Sequence, residues 1–225
     1  MGLAPSALSS GSIIWCSVSG IKRNRRRCLS ITARIDGQTR PRQFVLSKRD
    51  HQKFKRRPRD FYATPAEAVV PLLGHLPPKT KFDEPCAGEG ALIGHLERAG
   101  HVCVGASDIN ENSQSIYIWP FDVMEKNFCH GSMFITNPPW PQGGRGEPTL
   151  SIALHLSSIA PTWLLLSADF MHNKYFNILV SRCLKIVSVG RVSWMGNGVK
   201  GFDNCAWYLF EELPGVQRSS AEFYA

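Results

Sequence analysis

From residue 60 onward, short apolar runs alternate with stretches of helical periodicity, and this alternation constrains the fold more than any other feature. Strands that alternate with helices form a mainly parallel sheet, because each crossover helix returns the chain to the same edge. The last two apolar runs have no helix between them, so one strand should enter antiparallel. We therefore predict a Rossmann-like α/β fold: a seven-stranded mixed, mainly parallel sheet with helices on both faces.

The predicted elements have clear boundaries. Strands are expected over residues 81–85, 101–107, 116–121, 132–136, 162–167, 184–189 and 205–210, and helices over residues 66–76, 91–99, 150–159 and 169–183. The first helix has the signals of a helix start. Thr64 is expected at the N-cap, Pro65 at the first helical position and Glu67 as the acid of a capping box.

The formal charge of +8 is unevenly distributed along the chain. Residues 1–59 hold 15 Lys and Arg against two Asp, a balance of +13, whereas residues 60–225 hold 11 against 16 acids, a balance of −5. A basic arm on an acidic body fits a polyanion such as nucleic acid, and it fits a solvated tail equally well. We expect a basic, disordered arm (1–59), a globular domain (60–212) and a C-terminal tail (213–225).

The first 35 residues are rich in Ser and Arg and contain no acid. They fit an organelle transit peptide, a loose myristoylation pattern at Met1-Gly2 with Ser6, or a start codon placed too far upstream, and these interpretations stay open. Seven dispersed cysteines without a Cys-x-x-Cys pair favour a reducing compartment and argue against disulfides and a structural metal. No apolar run approaches the roughly 18 residues of a membrane span. We expect a soluble, cytoplasmic protein of a bacterial or phage-infected cell.

Glycine and polar residues follow four of the predicted strands. They are residues 84–90, Asp108, Asp122 and residues 137–140. In open α/β sheets, ligands bind beyond the carboxyl ends of the strands. The sequence therefore predicts one ligand site at this edge.

The turn after the first strand carries Gly88 and Gly90, which allow a ligand to approach the backbone closely. It lacks the full dinucleotide fingerprint and the phosphate loop, which disfavours a nicotinamide dehydrogenase. Glu84 and Glu89 would suit a cationic ligand, and S-adenosylmethionine carries a positive sulfur and an ammonium group. The alternative is a purely structural glycine turn.

Two further acids have positions that suit a nucleoside. Asp108 lies 20 residues after Gly88, the reach expected of an acid that accepts hydrogen bonds from ribose hydroxyls. It would serve equally as a helix N-cap. Asp122 can accept from the adenine amino group while Phe121 packs on the purine, and its alternative role is that of a turn residue at a strand end.

Asn137-Pro138-Pro139-Trp140 is the most specific pattern in the chain. An exocyclic amine on a base is a poor nucleophile, because its lone pair is delocalised into the ring. Asn137 Oδ1 and the Pro138 carbonyl can accept its two hydrogens, and the prolines make the turn rigid and remove donors. Trp140 offers a stacking face, worth about 1–3 kcal/mol in single-strand binders, to a base flipped out of its duplex. The alternative is a proline-rich turn with a surface tryptophan.

Residues 60–210 resemble the adenine-specific DNA methyltransferases, particularly the small phage and prophage enzymes. The resemblance implies the class I methyltransferase fold, S-adenosylmethionine as cofactor, and methylation of the exocyclic amino group of adenine in DNA. It covers a Phe-Tyr-x-Thr-Pro segment at residues 61–65, the glycine turn, the tetrad and a late segment at residues 191–208. It implies cofactor contacts from Tyr62, Thr64, Glu84, Pro85, Ala87, Gly88, Gly90, Asp108 and Asp122, and catalysis by Asn137, Pro138, Pro139 and Trp140.

Two departures from the family pattern matter. The tetrad ends in Trp140 where many relatives carry Tyr or Phe, and we expect no separate target-recognition domain. Residues 141–149, residues 190–204 and the basic arm would then contact the nucleic acid, and residues 143–146 form either a lid or a plain flexible loop. Three alternatives stay open: an RNA base methyltransferase, a protein glutamine-amide methyltransferase and a catalytically inactive nucleic-acid-binding module.

Overall fold

The computed structural model describes residues 62–110, 118–140, 147–213, 215 and 221–225, and the backbone of four short strands between residues 29 and 44. The chain divides into two compact units, Met1–Phe54 and Lys55–Ala225. In the first unit, β1 (Leu29–Ile31) pairs antiparallel with β4 (Arg42–Phe44), and β2 (Arg34–Ile35) pairs antiparallel with β3 (Gln38–Thr39). The sequence patterns did not predict these strands. The transit-peptide and myristoylation interpretations, and most of the predicted basic arm, lie outside the described residues.

The second unit contains an eight-stranded sheet. Its strands are β5 (Lys81–Glu84), β6 (Val102–Asp108), β7 (Trp119–Pro120), β8 (Met133–Thr136), β9 (Thr162–Ser167), β10 (Cys183–Gly190), β11 (Cys205–Phe210) and β12 (Glu222–Tyr224). Their spatial order is β12-β10-β11-β9-β8-β5-β6-β7, and only β11 runs antiparallel to its neighbours. This order confirms the predicted mixed, mainly parallel sheet and its antiparallel entry. The additional strand, β12, lies in the segment predicted as a C-terminal tail.

Helices cover both faces of this sheet, as predicted. They are α1 (Ala66–Leu73), α2 (Ala91–Arg98), α3 (Glu147–Ser157) and α4 (Phe176–Leu179). Successive residues of a strand face opposite sides, so Leu164 packs in the core with α3 and α4, whereas Leu165 packs in the core with α1 and α2. The continuous apolar run of β9 is the pattern of a strand that is buried on both faces.

Two helix predictions were wrong in detail. The N-cap of α1 is Pro65, in extended backbone with no side-chain cap, so Thr64 and Glu67 do not form a capping box there. The helix predicted over residues 169–183 is a 3₁₀ turn, Ala168–His172, followed by the short α4. The Asn173 amide donates to the carbonyls of Asp169 and Phe170 at 3.0 and 3.3 Å, and this contact ends the turn early.

No helix among the described residues is long and apolar enough to cross a membrane. The same residues do not bring three or more His, Cys, Asp or Glu side chains into a group that could hold a metal ion. The cysteines of the described part are free thiols: Cys86, Cys103, Cys129, Cys183 and Cys205.

Candidate active site

The turn after β5 is bonded to the end of β6. The Gly88 N–H donates to Asp108 Oδ2 at 2.8 Å, and the Ala87 N–H donates to the Ser107 carbonyl at 2.9 Å. Gly88 and Gly90 have φ angles of 54° and 80°, in the left-handed region that favours glycine. The backbone conformation therefore favours glycine at both positions, whatever the turn binds.

Asp108 connects this turn to the segment that follows β7. Its Oδ1 accepts the Asn110 N–H at 2.8 Å, and its carbonyl accepts the Phe121 N–H at 2.8 Å. A carboxylate offers about four acceptor positions, so these backbone bonds leave room for ligand hydroxyls. The local turn role and the ribose role predicted for Asp108 are thus compatible.

Glu84, the last residue of β5, is only 2% exposed, and its Oε2 has no hydrogen-bond partner within the described part of the chain. Burial raises the pKa of this carboxyl well above its ordinary value, and the charge of Asp108 raises it further, against a hydrogen bond from the Ile93 backbone. A buried acid without a cationic partner costs free energy. The site is therefore suited to a positively charged ligand.

Cys86 lies in the glycine turn at the end of β5, the strand beside β8. Burial raises the pKa of its thiol to about 12, and the charges of Asp108, Glu84 and Asp122 add to the rise. Thr136 is the last residue of β8 and directly precedes Asn137. Because β5 and β8 are parallel neighbours in the sheet, the glycine turn and the tetrad lie at the same edge.

Asp122 serves as the cap of a 3₁₀ turn, Val123–Glu125. Its Oδ1 accepts the Met124 N–H at 2.9 Å. This is the turn role that the sequence allowed beside the predicted contact with adenine, which stays a prediction. Phe121, the other predicted adenine contact, is exposed next to it.

The segment after this 3₁₀ turn is fastened to β5 by Asp83. This acid is fully buried, accepts the N–H groups of His130 and Gly131 at 3.1 and 2.9 Å, and lies 3.3 Å from Lys126 Nζ. Sequence reasoning missed this role, because Asp83 reads as part of the same acidic turn as Glu84. Its partners are 43 or more positions away along the chain, so no local pattern shows them.

Asn137 is bonded at both ends of its amide. Nδ2 donates to Thr64 Oγ1 at 3.2 Å, and Oδ1 accepts from Trp140 Nε1 at 3.1 Å. The same Trp140 N–H donates to the Leu165 carbonyl of β9 at 2.9 Å. The resemblance had implied that Thr64 contacts the cofactor, and here its hydroxyl meets the predicted catalytic amide.

A second threonine holds the other half of the tetrad. Thr149 of α3 is fully buried, and its hydroxyl donates to the Pro139 carbonyl at 2.9 Å. Pro138 is buried and Pro139 is exposed, so the turn is anchored on one side only. The sequence gives little indication that Thr149 belongs to the site, because a single Thr near the start of a helix is common.

Trp194 forms an aromatic wall beside the tetrad. Its ring lies 5.3 Å from that of Trp140 at an interplanar angle of 86°, and 6.4 Å from that of Tyr62. A Cβ at Gly201 would lie 3.1 Å from Trp194 Cδ1, so a glycine there lets the indole take this place. In the sequence, only the family resemblance of residues 191–208 indicated that the segment with Trp194 belongs to the site.

The loop of residues 191–204, which contains Trp194, is fastened to α1. The Ser193 N–H donates to Glu67 Oε1, and the Gly201 N–H donates to the Val192 carbonyl at 2.9 Å. Three large apolar side chains of the loop are exposed: Met195, Val199 and Phe202. The loop that carries Trp194 therefore also presents exposed apolar side chains.

The predicted site residues lie at the carboxyl ends of β5 to β8 or just before α1. Pro85 and Ala87 are buried within the glycine turn. Residues 111–117 and the predicted lid at residues 143–146 lie outside the described part.

No protein-family model matches the chain, and no curated protein matches it. Solved structures that align with it include a SAM-dependent methyltransferase, TehB-like, from Corynebacterium glutamicum, with 16% identity and a TM-score of 0.41, over 66% of this chain and 88% of that one. Another is a dimethyladenosine transferase from Plasmodium falciparum, with 12% identity and a TM-score of 0.44, over 67% and 62%. A third is the 23S rRNA methyltransferase ErmE, with 13% identity and a TM-score of 0.44, over 68% and 70%. Since these likenesses are low in identity and TM-score, we infer function from the residues of the site.

Proposed function

We propose that this chain is an S-adenosylmethionine-dependent methyltransferase that modifies the exocyclic amino group of adenine in DNA. The observation that carries the proposal is the Asn137 amide, whose oxygen is fixed by Trp140 at the end of β8. The buried, unpartnered Glu84 Oε2 supports the proposal as well, because Glu84 ends β5, the parallel neighbour of β8. A hydrogen-bond acceptor for an amine and a carboxylate for a cation are the two features that such a transfer needs.

The residues of the glycine turn fit S-adenosylmethionine. The partnerless Glu84 oxygen would meet a positive group of the cofactor, and Asp108 would accept from its ribose. Gly88 and Gly90 place backbone without side chains beside it. When bound, the cofactor supplies a methyl carbon on a positive sulfur, and the acceptor nitrogen bonds to that carbon as the carbon–sulfur bond breaks.

The tetrad supplies the acceptor side. Asn137 Oδ1 has two lone pairs, so it can accept a hydrogen from an amine while Trp140 uses the other position. The Pro138 carbonyl is the second acceptor that we assign. Together they localise the lone pair of the amine nitrogen, which releases its proton once it has become cationic. Positioning supplies most of the rate in such a site.

Aromatic rings and basic charge support a nucleic-acid base over a protein side chain as acceptor. Trp140 and Trp194 lie at right angles and offer flat surfaces to a base that has been flipped out. The 15 Lys and Arg of residues 1–59 would neutralise phosphates. Adenine and DNA, in particular, are supported by the resemblance of the tetrad and the glycine turn to the DNA adenine enzymes.

The decisive experiment offers methyl-labelled S-adenosylmethionine separately with unmethylated duplex DNA, RNA and a release factor. We expect label in DNA, as N6-methyladenine after digestion to nucleosides, and none with the Asn137→Ala variant. Label in RNA or in the protein would reassign the acceptor. Binding of the cofactor and of DNA without any transfer would instead indicate an inactive binding module.

A further inference from the structure

The Asn137 amide is the only side chain of the tetrad that is held at both ends within the described residues. Thr64 comes from the segment before α1, and Trp140 comes from the end of the same turn. We propose that Thr64 and Trp140 form an amide clamp that fixes the orientation of Asn137 for the transfer. The proposal rests on the proposed function, because it concerns the same acceptor site.

Orientation matters because the two ends of an amide have nearly the same shape and opposite hydrogen-bonding character. Only Oδ1 can accept a hydrogen from the amine, and a 180° turn about χ2 would present the NH₂ group instead. The indole N–H of Trp140 can only donate, so the atom it meets at 3.1 Å is the amide oxygen. Trp140 therefore selects the productive orientation.

Thr64 completes the clamp from the other side. Its hydroxyl can donate or accept, so it does not select an orientation, but it satisfies the Nδ2 group. Thr64 is 5% exposed, so its hydroxyl is shielded from water, and loss of this hydroxyl would leave the Nδ2 group without its partner. Thr64 therefore acts on the reaction through Asn137, as a positioning residue.

α2 holds Thr64 in place. His95 Nε2 lies 3.1 Å from the Thr64 carbonyl, and His95 Nδ1 meets the Arg98 guanidinium. Arginine can only donate, so Nδ1 accepts and the imidazole proton lies on Nε2, which donates to Thr64. Because α2 begins at Gly90 of the glycine turn, the clamp and the turn share one support.

The clamp gives Trp140 a role that a phenylalanine would not have. Phenylalanine would keep a stacking face, but it would leave Asn137 Oδ1 and the Leu165 carbonyl without the indole donor. A Trp140→Phe substitution therefore separates stacking from orientation. A residue that serves only for stacking would tolerate this change.

The first test compares Thr64→Val with Thr64→Ser, with kcat measured at saturating S-adenosylmethionine and DNA. We expect Thr64→Val to lower kcat about 10- to 100-fold, as loss of an outer-shell partner does at metal sites, and Thr64→Ser to restore most of it. Thr80→Val is the matched control, because Thr80 is 4% exposed and its hydroxyl donates to the Pro77 carbonyl, before the start of β5. A Thr64→Val loss confined to the dissociation constant of S-adenosylmethionine would overturn the clamp.

The second test uses Trp140→Phe, with Trp207→Phe as control. The Trp207 indole donates to the Ala68 carbonyl at 2.8 Å in the core, so the control loses a comparable bond away from the site. We expect kcat to fall for Trp140→Phe while the KM for DNA changes little. For Trp207→Phe we expect no selective fall in kcat. A rise in KM alone would make Trp140 a stacking residue only.

A third measurement does not require turnover. In the ligand-free protein, the Asn137 side-chain NH₂ should exchange slowly with solvent by NMR, and exchange should accelerate in Thr64→Val but not in Thr80→Val. Equal exchange in all three proteins would overturn the clamp. If the wild-type protein methylates no acceptor, the proposed function fails, and this exchange measurement still decides whether the amide is clamped.

Discussion

Glu84 and Asp108 lie at the carboxyl ends of the neighbouring strands β5 and β6, and the charge of Asp108 adds to burial in raising the pKa of Glu84. In the folded state Glu84 thus holds its proton more tightly than in the unfolded state. Stability therefore falls as pH rises from the usual glutamate range towards the raised pKa, and stays lower above it. Ionisation of Glu84 therefore costs free energy in the ligand-free protein, and a bound cation would lower this cost.

We expect Glu84→Gln to unfold at a higher temperature than wild type at neutral pH, and to lose this advantage below the usual glutamate range. S-adenosylmethionine should bind wild type more tightly as pH rises, because its charge favours the ionised carboxylate. Glu84→Gln should bind it weakly with little pH dependence. Thermal unfolding and calorimetric titration at several pH values test both points; a pH-independent wild-type affinity would remove Glu84 from the cation role.

Asp108→Asn should weaken S-adenosylmethionine binding about 10- to 100-fold. Both carboxylate oxygens accept a backbone N–H, and an amide has only one acceptor atom. The loss corresponds to one hydrogen bond to a charged group, about 1.5–3 kcal/mol. Equilibrium binding measures it, with the exposed Asp169→Asn as control. Unchanged affinity would leave Asp108 with its backbone role alone.

Asn137→Ala should lower kcat by about 10²- to 10³-fold, the usual cost of removing one preorganised hydrogen-bonding group from a transition state. The affinity for S-adenosylmethionine should stay near that of wild type, because Asn137 contacts Thr64 and Trp140 rather than the glycine turn. Single-turnover kinetics with labelled cofactor measure the change. Asn173→Ala, which alters an amide bonded to the 3₁₀ turn Ala168–His172, is the control, and wild-type turnover in Asn137→Ala would exclude the mechanism.

Glu67→Ala should loosen the loop of residues 191–204, because Glu67 receives the Ser193 N–H. Arg191 and Lys200 are exposed and provide trypsin sites within the loop. We expect faster cleavage there in the variant, together with a higher KM for DNA and an unchanged affinity for the cofactor. Glu125→Ala, at another exposed glutamate, should cleave like wild type; equal rates in all three proteins would exclude the anchor.

Deleting residues 1–54 removes 11 Lys and Arg and two Asp. If these cations neutralise phosphates, the deletion should weaken DNA binding and flatten the slope of log affinity against log salt concentration. Fluorescence anisotropy across a salt series measures the slope. Cofactor affinity serves as the internal control, and an unchanged slope would mean that these cations do not neutralise phosphates.

The periodic features of the fold could be predicted from the sequence. β9 and β11 have the predicted bounds, because continuous apolar runs between polar residues define a buried strand. α4 is shorter than predicted, because the Asn173 amide competes for the carbonyls of Asp169 and Phe170. β12 was missed, because three exposed residues carry no burial pattern.

The site could be predicted only where its polar and glycine residues are contiguous in the sequence. The glycine turn and the tetrad are each contiguous, so their residue types alone indicated a ligand. Thr64 and Glu67 were assigned to a local cap, whereas their partners, Asn137 and Ser193, lie 73 and 126 positions away. Such contacts depend on the packing of α1 against the sheet, which no local pattern encodes.

The separation of Glu67 and Ser193 by 126 positions along the chain also has a consequence for synthesis on the ribosome. β5 to β8 and the glycine turn can pair as soon as residue 136 has emerged, because their neighbours in the sheet are already present. The Trp194 wall must await β11, which inserts between β9 and β10 and closes the loop. A nascent chain would thus form its glycine turn before Trp194 takes its place beside the tetrad, and could hold a base there only after β11 has been synthesised.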